Sequence, residues 1–194
     1  MPRRPVDLYL IRHAPTDFAG RLAGRLDVEA VLPEMDGLAA AHVLLASVDR
    51  VVASPARRTL ATAGALFPGR EVGTDPRLWE QDFGAHEGLA FGDLPDLGPM
   101  TREALAEHAA PGGESFGDMA RRVEPALRAL ADAEGGSQSV AIVAHAGTVR
   151  AALGMALGAA SLGLAFDVAP LSLTRLRLIG DDAAILCVNR PLVA

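Results

Sequence analysis

The sequence contains no lysine: all 18 basic residues are arginine, against 24 acidic residues, and the net charge is −6. A chain without lysine cannot form a Schiff base on a lysine side chain, and it cannot build a Walker-type phosphate loop. Its acidic balance argues against a nucleic-acid or anionic-membrane partner, because those ligands select a basic surface. An anionic substrate would therefore need a local basic pocket.

Cysteine and long apolar runs are also scarce. The single cysteine, Cys187, excludes an internal disulfide and is expected to be a packed small side chain. No apolar run approaches the roughly 20 residues that cross a bilayer, and Met1-Pro2-Arg3-Arg4-Pro5 leads into a short strand rather than a signal-peptide core. We expect one cytoplasmic domain over residues 1–194, half of them apolar.

Short apolar runs alternate with stretches of helical spacing. The predicted strands are Val6–Ile11, Arg50–Ala53, Ser139–Ala144, Leu171–Leu178 and Ala183–Val188. The predicted helices are Glu34–Ala46, Arg57–Phe67 and Ser115–Ala131, with a short one near Thr101–His108 inside a strandless excursion, Gly84–Pro111. This alternation predicts an α/β three-layer sandwich with a mostly parallel central sheet and helices on both faces.

Capping and turn signals mark the ends of several elements. Ser115 followed by Asp118 is a variant of the capping box, and Gly135-Gly136-Ser137 is expected to end that helix. Gly180-Asp181-Asp182 is expected to form a hairpin turn. The last two strands would then be antiparallel and near a sheet edge.

Two of the predicted strands end in a similar way. The first runs into Arg12-His13, and the strand Ser139–Ala144 runs into His145-Ala146-Gly147. Active sites lie at strand ends, arginine offers forked donors to phosphoryl oxygens, and histidine can attack phosphorus. The two strand ends together predict a site for a phosphoryl group.

Three further motifs complete an ordered series: Ser54–Ala63 (SPARRTLATA), Leu78–Leu89 (LWEQDFGAHEGL) and Gly113-Glu114-Ser115. In their order and spacing, the motifs resemble those of the histidine phosphatase superfamily, the phosphoglycerate mutase-like proteins. The resemblance implies that His13 is the nucleophile, forming a phosphohistidine, and that Glu80 is the proton donor. It also implies three residues that hold the phosphoryl oxygens: Arg12, Arg58 and His145.

The chemistry of phosphoryl transfer supports these roles. Its transition state carries charge on equatorial oxygens, which two guanidiniums and an imidazolium can meet without a metal ion or cofactor. A carboxylic acid can protonate the leaving alkoxide and then activate water. Asp82 and Glu87 compete with Glu80 for this role but are expected to shape the loop, and the register with Ser54 selects Arg58 over Arg57.

Other positions near these motifs are weaker candidates or departures from the family pattern. Arg25 and His86 are candidate substrate contacts. Ala14 and Ala146 replace family glycines and would fit badly if their φ had to be positive. Ala19 stands where relatives frequently carry asparagine, which removes one side-chain donor.

The resemblance implies a metal-independent phosphomonoesterase that acts on a small phosphorylated metabolite. The short chain, the DFG-x-x-EG form of the acid segment and the C-terminal pattern are most similar to bacterial α-ribazole phosphatases, which act in cobalamin biosynthesis. The alternatives are a phosphoglycerate mutase and a catalytically impaired phosphate-binding protein. A metallohydrolase is disfavoured because the sequence lacks a close-spaced ligand pair such as His-x-x-x-His. Neither the leaving group nor the oligomeric state follows from the sequence.

Overall fold

The computed structural model, which describes residues 4–18, 20–132 and 138–193, contains a six-stranded sheet with the spatial order β3-β2-β4-β1-β5-β6. The strands are β1 (Val6–Arg12), β2 (Arg50–Ala53), β3 (Gly73–Thr74), β4 (Ser139–Ala144), β5 (Ser172–Ile179) and β6 (Asp182–Pro191). The first four are parallel, whereas β5 is antiparallel to both β1 and β6. The predicted mostly parallel sheet is confirmed.

Helices cover both faces of this sheet. They are α1 (Ala39–Leu45), α2 (Arg57–Leu66), α3 (Arg102–Glu107), α4 (Phe116–Asp132), α5 (Ala146–Leu157) and α6 (Ala160–Gly163). A 3-10 turn, Met35–Leu38, precedes α1, so the first part of the helix predicted from Glu34 is wound more tightly than an α-helix.

Alternation along β1 divides the core between the two faces. Leu8 and Leu10 pack in a cluster with residues of α4 and α5, whereas Tyr9 and Ile11 pack in a second cluster with residues of α1 and α2. Successive side chains of a strand point to opposite faces, and a strand buried on both faces is therefore apolar throughout. This is why successive residues of Val6–Ile11 are mostly apolar instead of alternating between apolar and polar.

The remaining connections mostly match those predicted from the sequence. Within the described residues, the excursion Gly84–Pro111 contains α3 and two 3-10 turns but no strand, and the hairpin between β5 and β6 places β6 at an edge. The two-residue strand β3 was not predicted because no apolar run marks it. The predicted helix end at Gly135-Gly136-Ser137 lies outside the described residues. No helix in the described ranges is long and apolar enough to cross a membrane.

A reciprocal cap begins α4, as predicted. The Asp118 amide donates to Ser115 Oγ at 3.0 Å, and Asp118 Oδ2 accepts from the Ser115 amide at 3.1 Å and from its hydroxyl at 2.7 Å. These bonds, with one from Arg121, lower the pKa of Asp118 to about 2. The helix that carries much of one core cluster therefore starts at a fixed residue.

We predict that Ser115→Ala lowers the free energy of unfolding by about 1 kcal/mol, because the first turn of α4 loses its side-chain acceptor. Chemical denaturation measures this loss. Ser47→Ala, at an exposed position, should change stability by less than about 0.5 kcal/mol. Equal effects of the two substitutions would contradict the capping role.

Candidate active site

The carboxyl ends of the four parallel strands meet at one edge of the sheet and deliver the predicted site residues. Arg12 ends β1 in register with Ala144, the last residue of β4, and the His13 amide donates to the Ala144 carbonyl at 2.9 Å. His145 follows at once. The rings of His13 and His145 consequently lie edge to face, with centroids 5.4 Å apart.

His13 is oriented by its own loop. Its Nδ1 lies 2.6 Å from the carbonyl oxygen of Ala14 and must donate to it, because a carbonyl can only accept. In the neutral ring, the lone pair is then on Nε2. Burial lowers the pKa of His13 to about 3, and the positive charges of Arg58 and Arg12 act in the same direction. The hydrogen bond to Ala14 opposes this shift but does not cancel it. The side chain is thus a neutral imidazole with an unprotonated nitrogen at physiological pH.

His145 is fully buried behind His13. Its Nε2 is 2.8 Å from Ser54 Oγ, and its ring is parallel to that of Trp79 at 6.2 Å between centroids. Burial and the positive charge of Arg58 place the pKa of His145 well below its usual value. The ring is therefore neutral without a bound anion, and a phosphoryl dianion would act in the opposite direction and favour the imidazolium expected from the sequence.

Among the described residues, Arg12 and Arg58 form no ion pair with a carboxylate, although the charge of Glu80 acts on both guanidiniums. Arg58 is 1 % exposed; its two terminal nitrogens donate to the carbonyls of Gly24 and Leu26, each at 2.7 Å, and its Nε has no partner. Arg12 donates to the Val168 carbonyl and also keeps a buried, unpaired Nε. Burial lowers the pKa of both guanidiniums, so a bound anion would stabilise them.

Glu80 follows the 3-10 turn after β3 and reaches the start of α5. Its Oε2 lies 3.4 Å from the amide nitrogen of Gly147, and its Oε1 accepts from the amide of Gln81 at 3.0 Å. A Cβ at position 147 would lie 2.2 Å from Glu80 Oε1. Glycine at this position therefore makes room for the carboxylate.

Arg122 of α4 holds the segment that carries Glu80. Its guanidinium donates to the carbonyls of Arg77, Trp79 and Glu80 at 2.7, 2.8 and 2.9 Å, and it forms an ion pair with Glu114. This half-buried clamp fixes the backbone of the acid segment. No local sequence signal marks this role, since Arg122 is one of several helix arginines.

A cavity of about 650 Å³ opens at this edge of the sheet and is lined by Arg12, His13, Arg58, Glu80 and His86. His145 lies behind this wall rather than in it. Arg25 is exposed and does not line the cavity; its side chain pairs with Glu114 at 3.3 Å. The structure thus brings together all the predicted site residues except Arg25.

The sequence also offers two other candidate acids, and alanines that replace glycine or asparagine in the family pattern. Asp82 accepts from the Gly84 amide and Glu87 from the Arg25 amide, and neither lines the cavity. Ala14 and Ala146 both have negative φ, so their methyl groups cause no backbone strain. Ala19 lies outside the described residues.

Several residues that build the site or line the cavity were not predicted from the sequence. Thr62 Oγ1 accepts from the Ala14 amide at 2.9 Å and donates to the Arg58 carbonyl at 2.7 Å, so it joins the His13 loop to α2. Arg150 and His108 line the cavity. Thr62 lies in the SPARRTLATA motif, which was the available signal, whereas Arg150 and His108 stand outside the motifs. No group of three or more His, Cys, Asp or Glu side chains in the described ranges could hold a metal ion.

Two imidazoles, two arginines and a carboxylate at the end of a parallel sheet define an α/β enzyme of phosphoryl chemistry. The chain belongs to the histidine phosphatase superfamily, since the family model of its branch 1 matches residues 8–191. It is a phosphoric monoester hydrolase of this superfamily.

Individual relatives agree with this membership. The chain is 35% identical over 175 residues to the glucosyl-3-phosphoglycerate phosphatase of Mycolicibacterium vanbaalenii, an alignment covering 82% of this chain and 76% of the relative. A solved mycobacterial glucosyl-3-phosphoglycerate phosphatase has a TM-score of 0.79 and 28% identity, covering 96% of this chain and all of its own. An Escherichia coli protein proposed as an alpha-ribazole-5'-P phosphatase has a TM-score of 0.80, with coverage of 97% and 98%. Its 24% identity shows a shared fold alone.

We predict that Arg122→Met lowers kcat about 10- to 100-fold, because the backbone of Glu80 loses its clamp and a small misplacement of a reacting group is costly. KM and inhibition by inorganic phosphate should change little, since Arg122 does not line the cavity. Arg128→Met, also half-buried on α4 and paired with Glu124, is the matched control. A similar decrease in kcat in both variants, or a change in KM without a decrease in kcat, would argue against the clamp.

We also predict a pH dependence of stability from His13. Its pKa falls from 6.5 in the unfolded chain to about 3 in the folded one, so between these values only the unfolded chain binds the proton. The free energy of unfolding therefore falls as the pH is lowered from 6.5 toward 3, by at most about 1.4 kcal/mol per pH unit. His13→Gln should show a shallower decline in urea titrations, and unchanged slopes would refute this prediction.

Proposed function

We propose that this protein hydrolyses phosphomonoesters without a metal ion, in two steps, through a phosphohistidine on Nε2 of His13. The observation that carries the proposal is the convergence of the predicted residues: Arg12, His13, Arg58 and Glu80 line one cavity, and His145 lies against His13 behind its wall. The tautomer fixed by the Ala14 carbonyl supports Nε2 as the attacking atom.

In the first step, the lone pair of His13 Nε2 forms a bond to phosphorus while the bond from phosphorus to the ester oxygen breaks. Glu80 in its acid form gives a proton to the departing oxygen. The guanidiniums of Arg12 and Arg58, which line the cavity, meet the equatorial oxygens, where the negative charge of the transition state lies.

In the second step, the Glu80 carboxylate takes a proton from water, whose oxygen attacks phosphorus. The bond from phosphorus to Nε2 breaks, inorganic phosphate is released, and His13 returns to its neutral state. Glu80 regains the proton that it gave in the first step, so the cycle leaves the enzyme unchanged.

Two substrates follow as candidates. The C-terminal pattern and the acid segment favour α-ribazole 5′-phosphate, which would place the protein in cobalamin biosynthesis in the cytoplasm. The relative with 35% identity favours glucosyl-3-phosphoglycerate instead. Phosphate release from both compounds tests the choice. Turnover in EDTA tests metal independence, and a requirement for 2,3-bisphosphoglycerate would indicate a mutase.

We predict that three substitutions separate the roles of the site residues. His13→Ala should abolish hydrolysis of p-nitrophenyl phosphate and trapping of a phosphoenzyme. Glu80→Gln should lower kcat/KM for an alkyl phosphate by about 10²- to 10⁴-fold, the range of a general acid. Arg58→Ala should affect both KM and kcat, because it meets charge in the ground state and in the transition state.

The leaving group provides the internal control for this series. p-Nitrophenolate leaves without a proton, so Glu80→Gln should reduce its kcat/KM far less than that of an alkyl phosphate. Equal losses with both esters would exclude Glu80 as the acid. Phosphoenzyme formation in His13→Ala would exclude His13 as the nucleophile.

A further inference from the structure

The outer part of the active-site cavity has mainly apolar walls. They come from two segments of the chain, the loop after β1 and the excursion Gly84–Pro111. The main contributors are Phe18, Leu22, Phe91, Leu94, Leu97 and Leu105. Neither segment belongs to the strand ends that carry the catalytic side chains. The cavity is therefore divided into a charged inner end and an apolar outer chamber.

Three of these side chains expose an unusual amount of apolar surface. Phe91 is 59% exposed, Leu97 41% and Leu105 43%, and all three face one cavity. Single exposed leucines such as Leu186, at 42%, are normal on any protein surface. Exposed apolar residues gathered on one concave surface are typical of a ligand site, because a ligand removes them from water.

The charged residues that line the cavity further restrict the class of ligand. Among the described residues that line the cavity, Glu80 is the only carboxylate, and it lies at the inner end. Arg21 and Arg150 also line the wall and add positive charge to it; one nitrogen of each donates to a carbonyl, that of Gly88 and that of Phe166. The ammonium group of a substrate such as phosphoserine would therefore meet no counter-charge in the outer chamber.

The size of the chamber points the same way. The whole cavity, phosphoryl end included, has a volume of about 650 Å³, which suits a drug-sized ligand and is far larger than phosphoserine or phosphoglycerate requires. A sugar would need several polar partners to replace its bound water, and although Arg21, His86, His108 and Arg150 line the cavity, most of its exposed wall is apolar. An aromatic or large alkyl group meets neither objection.

We propose that the outer chamber binds the leaving group of the substrate and selects phosphomonoesters of bulky, apolar or aromatic alcohols. This inference rests on the proposed function, because the ester must present its phosphoryl group to His13. Of the two candidate substrates, it favours α-ribazole 5′-phosphate, whose base is aromatic, over glucosyl-3-phosphoglycerate.

The test compares three primary alkyl esters whose leaving oxygens are chemically alike: 2-naphthylmethyl phosphate, glycerol 3-phosphate and O-phosphoserine. We expect kcat/KM for the naphthylmethyl ester to be about 10- to 100-fold higher than for the other two, the gain from burying one aromatic group. A kcat/KM for O-phosphoserine or glycerol 3-phosphate equal to or above that of the naphthylmethyl ester would overturn the inference.

Matched variants locate the selectivity. Leu97→Ser should lower kcat/KM for 2-naphthylmethyl phosphate about three- to tenfold and leave glycerol 3-phosphate within twofold. Leu186→Ser, at the same exposure on β6 and outside the cavity, should change neither value. Equal effects of both substitutions, or an equal loss with both esters in Leu97→Ser, would contradict a leaving-group chamber.

Hydrolysis of p-nitrophenyl phosphate by the unaltered protein tests the phosphatase proposal separately from the outer chamber. If this activated ester is hydrolysed but the naphthylmethyl ester is not preferred, the chamber is refuted and the phosphatase proposal stands. If no ester is hydrolysed, the proposed function is refuted, and the chamber with it.

Discussion

The site depends on the parallel pairing of β1 with β4. This ladder continues beyond the last strand residues, because the His13 amide binds the Ala144 carbonyl, and it thereby sets two imidazoles side by side. On the other side of β4, the Ser54 amide binds the Val143 carbonyl in the same manner and places Ser54 against His145. A slip of one residue in either pairing would turn these side chains to the opposite face of the sheet.

The charges assembled there are costly for the folded chain. Arg58 is buried without a carboxylate partner, and Arg12 keeps an unpaired Nε, so the desolvation of both cations is only partly offset by carbonyl dipoles. The same cations, together with burial, keep the imidazoles neutral, which is the form a nucleophile needs. In the proposed mechanism, a phosphoryl dianion would supply the counter-charge that these cations lack. Binding of the substrate and activation of the nucleophile would then come from one electrostatic arrangement.

The sequence predicted those parts of the fold that have a local, periodic signal. The strands β1, β2 and β4 coincide with short apolar runs, and α2 and α4 have clear helical spacing, so both kinds of element lie near their expected positions. The two-residue β3 has no such signal, because only its pairing with Val52 and Ala53 makes it a strand.

The site residues follow a similar rule. His13 and His145 stand directly after apolar strands and could be located from the sequence, as could Arg58 through its motif. Arg122 could not, because its role consists of contacts with carbonyls more than 40 positions away. Arg25 lies in a stretch that resembles the family but pairs with Glu114, a long-range contact that the sequence does not reveal.

The inner and outer parts of the cavity are nevertheless coupled through Arg58. Two of its nitrogens hold the carbonyls of Gly24 and Leu26, and this loop follows directly on the segment that supplies part of the apolar wall. The guanidinium proposed to bind the phosphoryl group therefore also holds the loop beside the proposed chamber. Binding couplings are reciprocal, so under this proposal an alcohol group that orders the loop would also orient the donors of Arg58. The fit of the alcohol would then affect catalysis as well as binding.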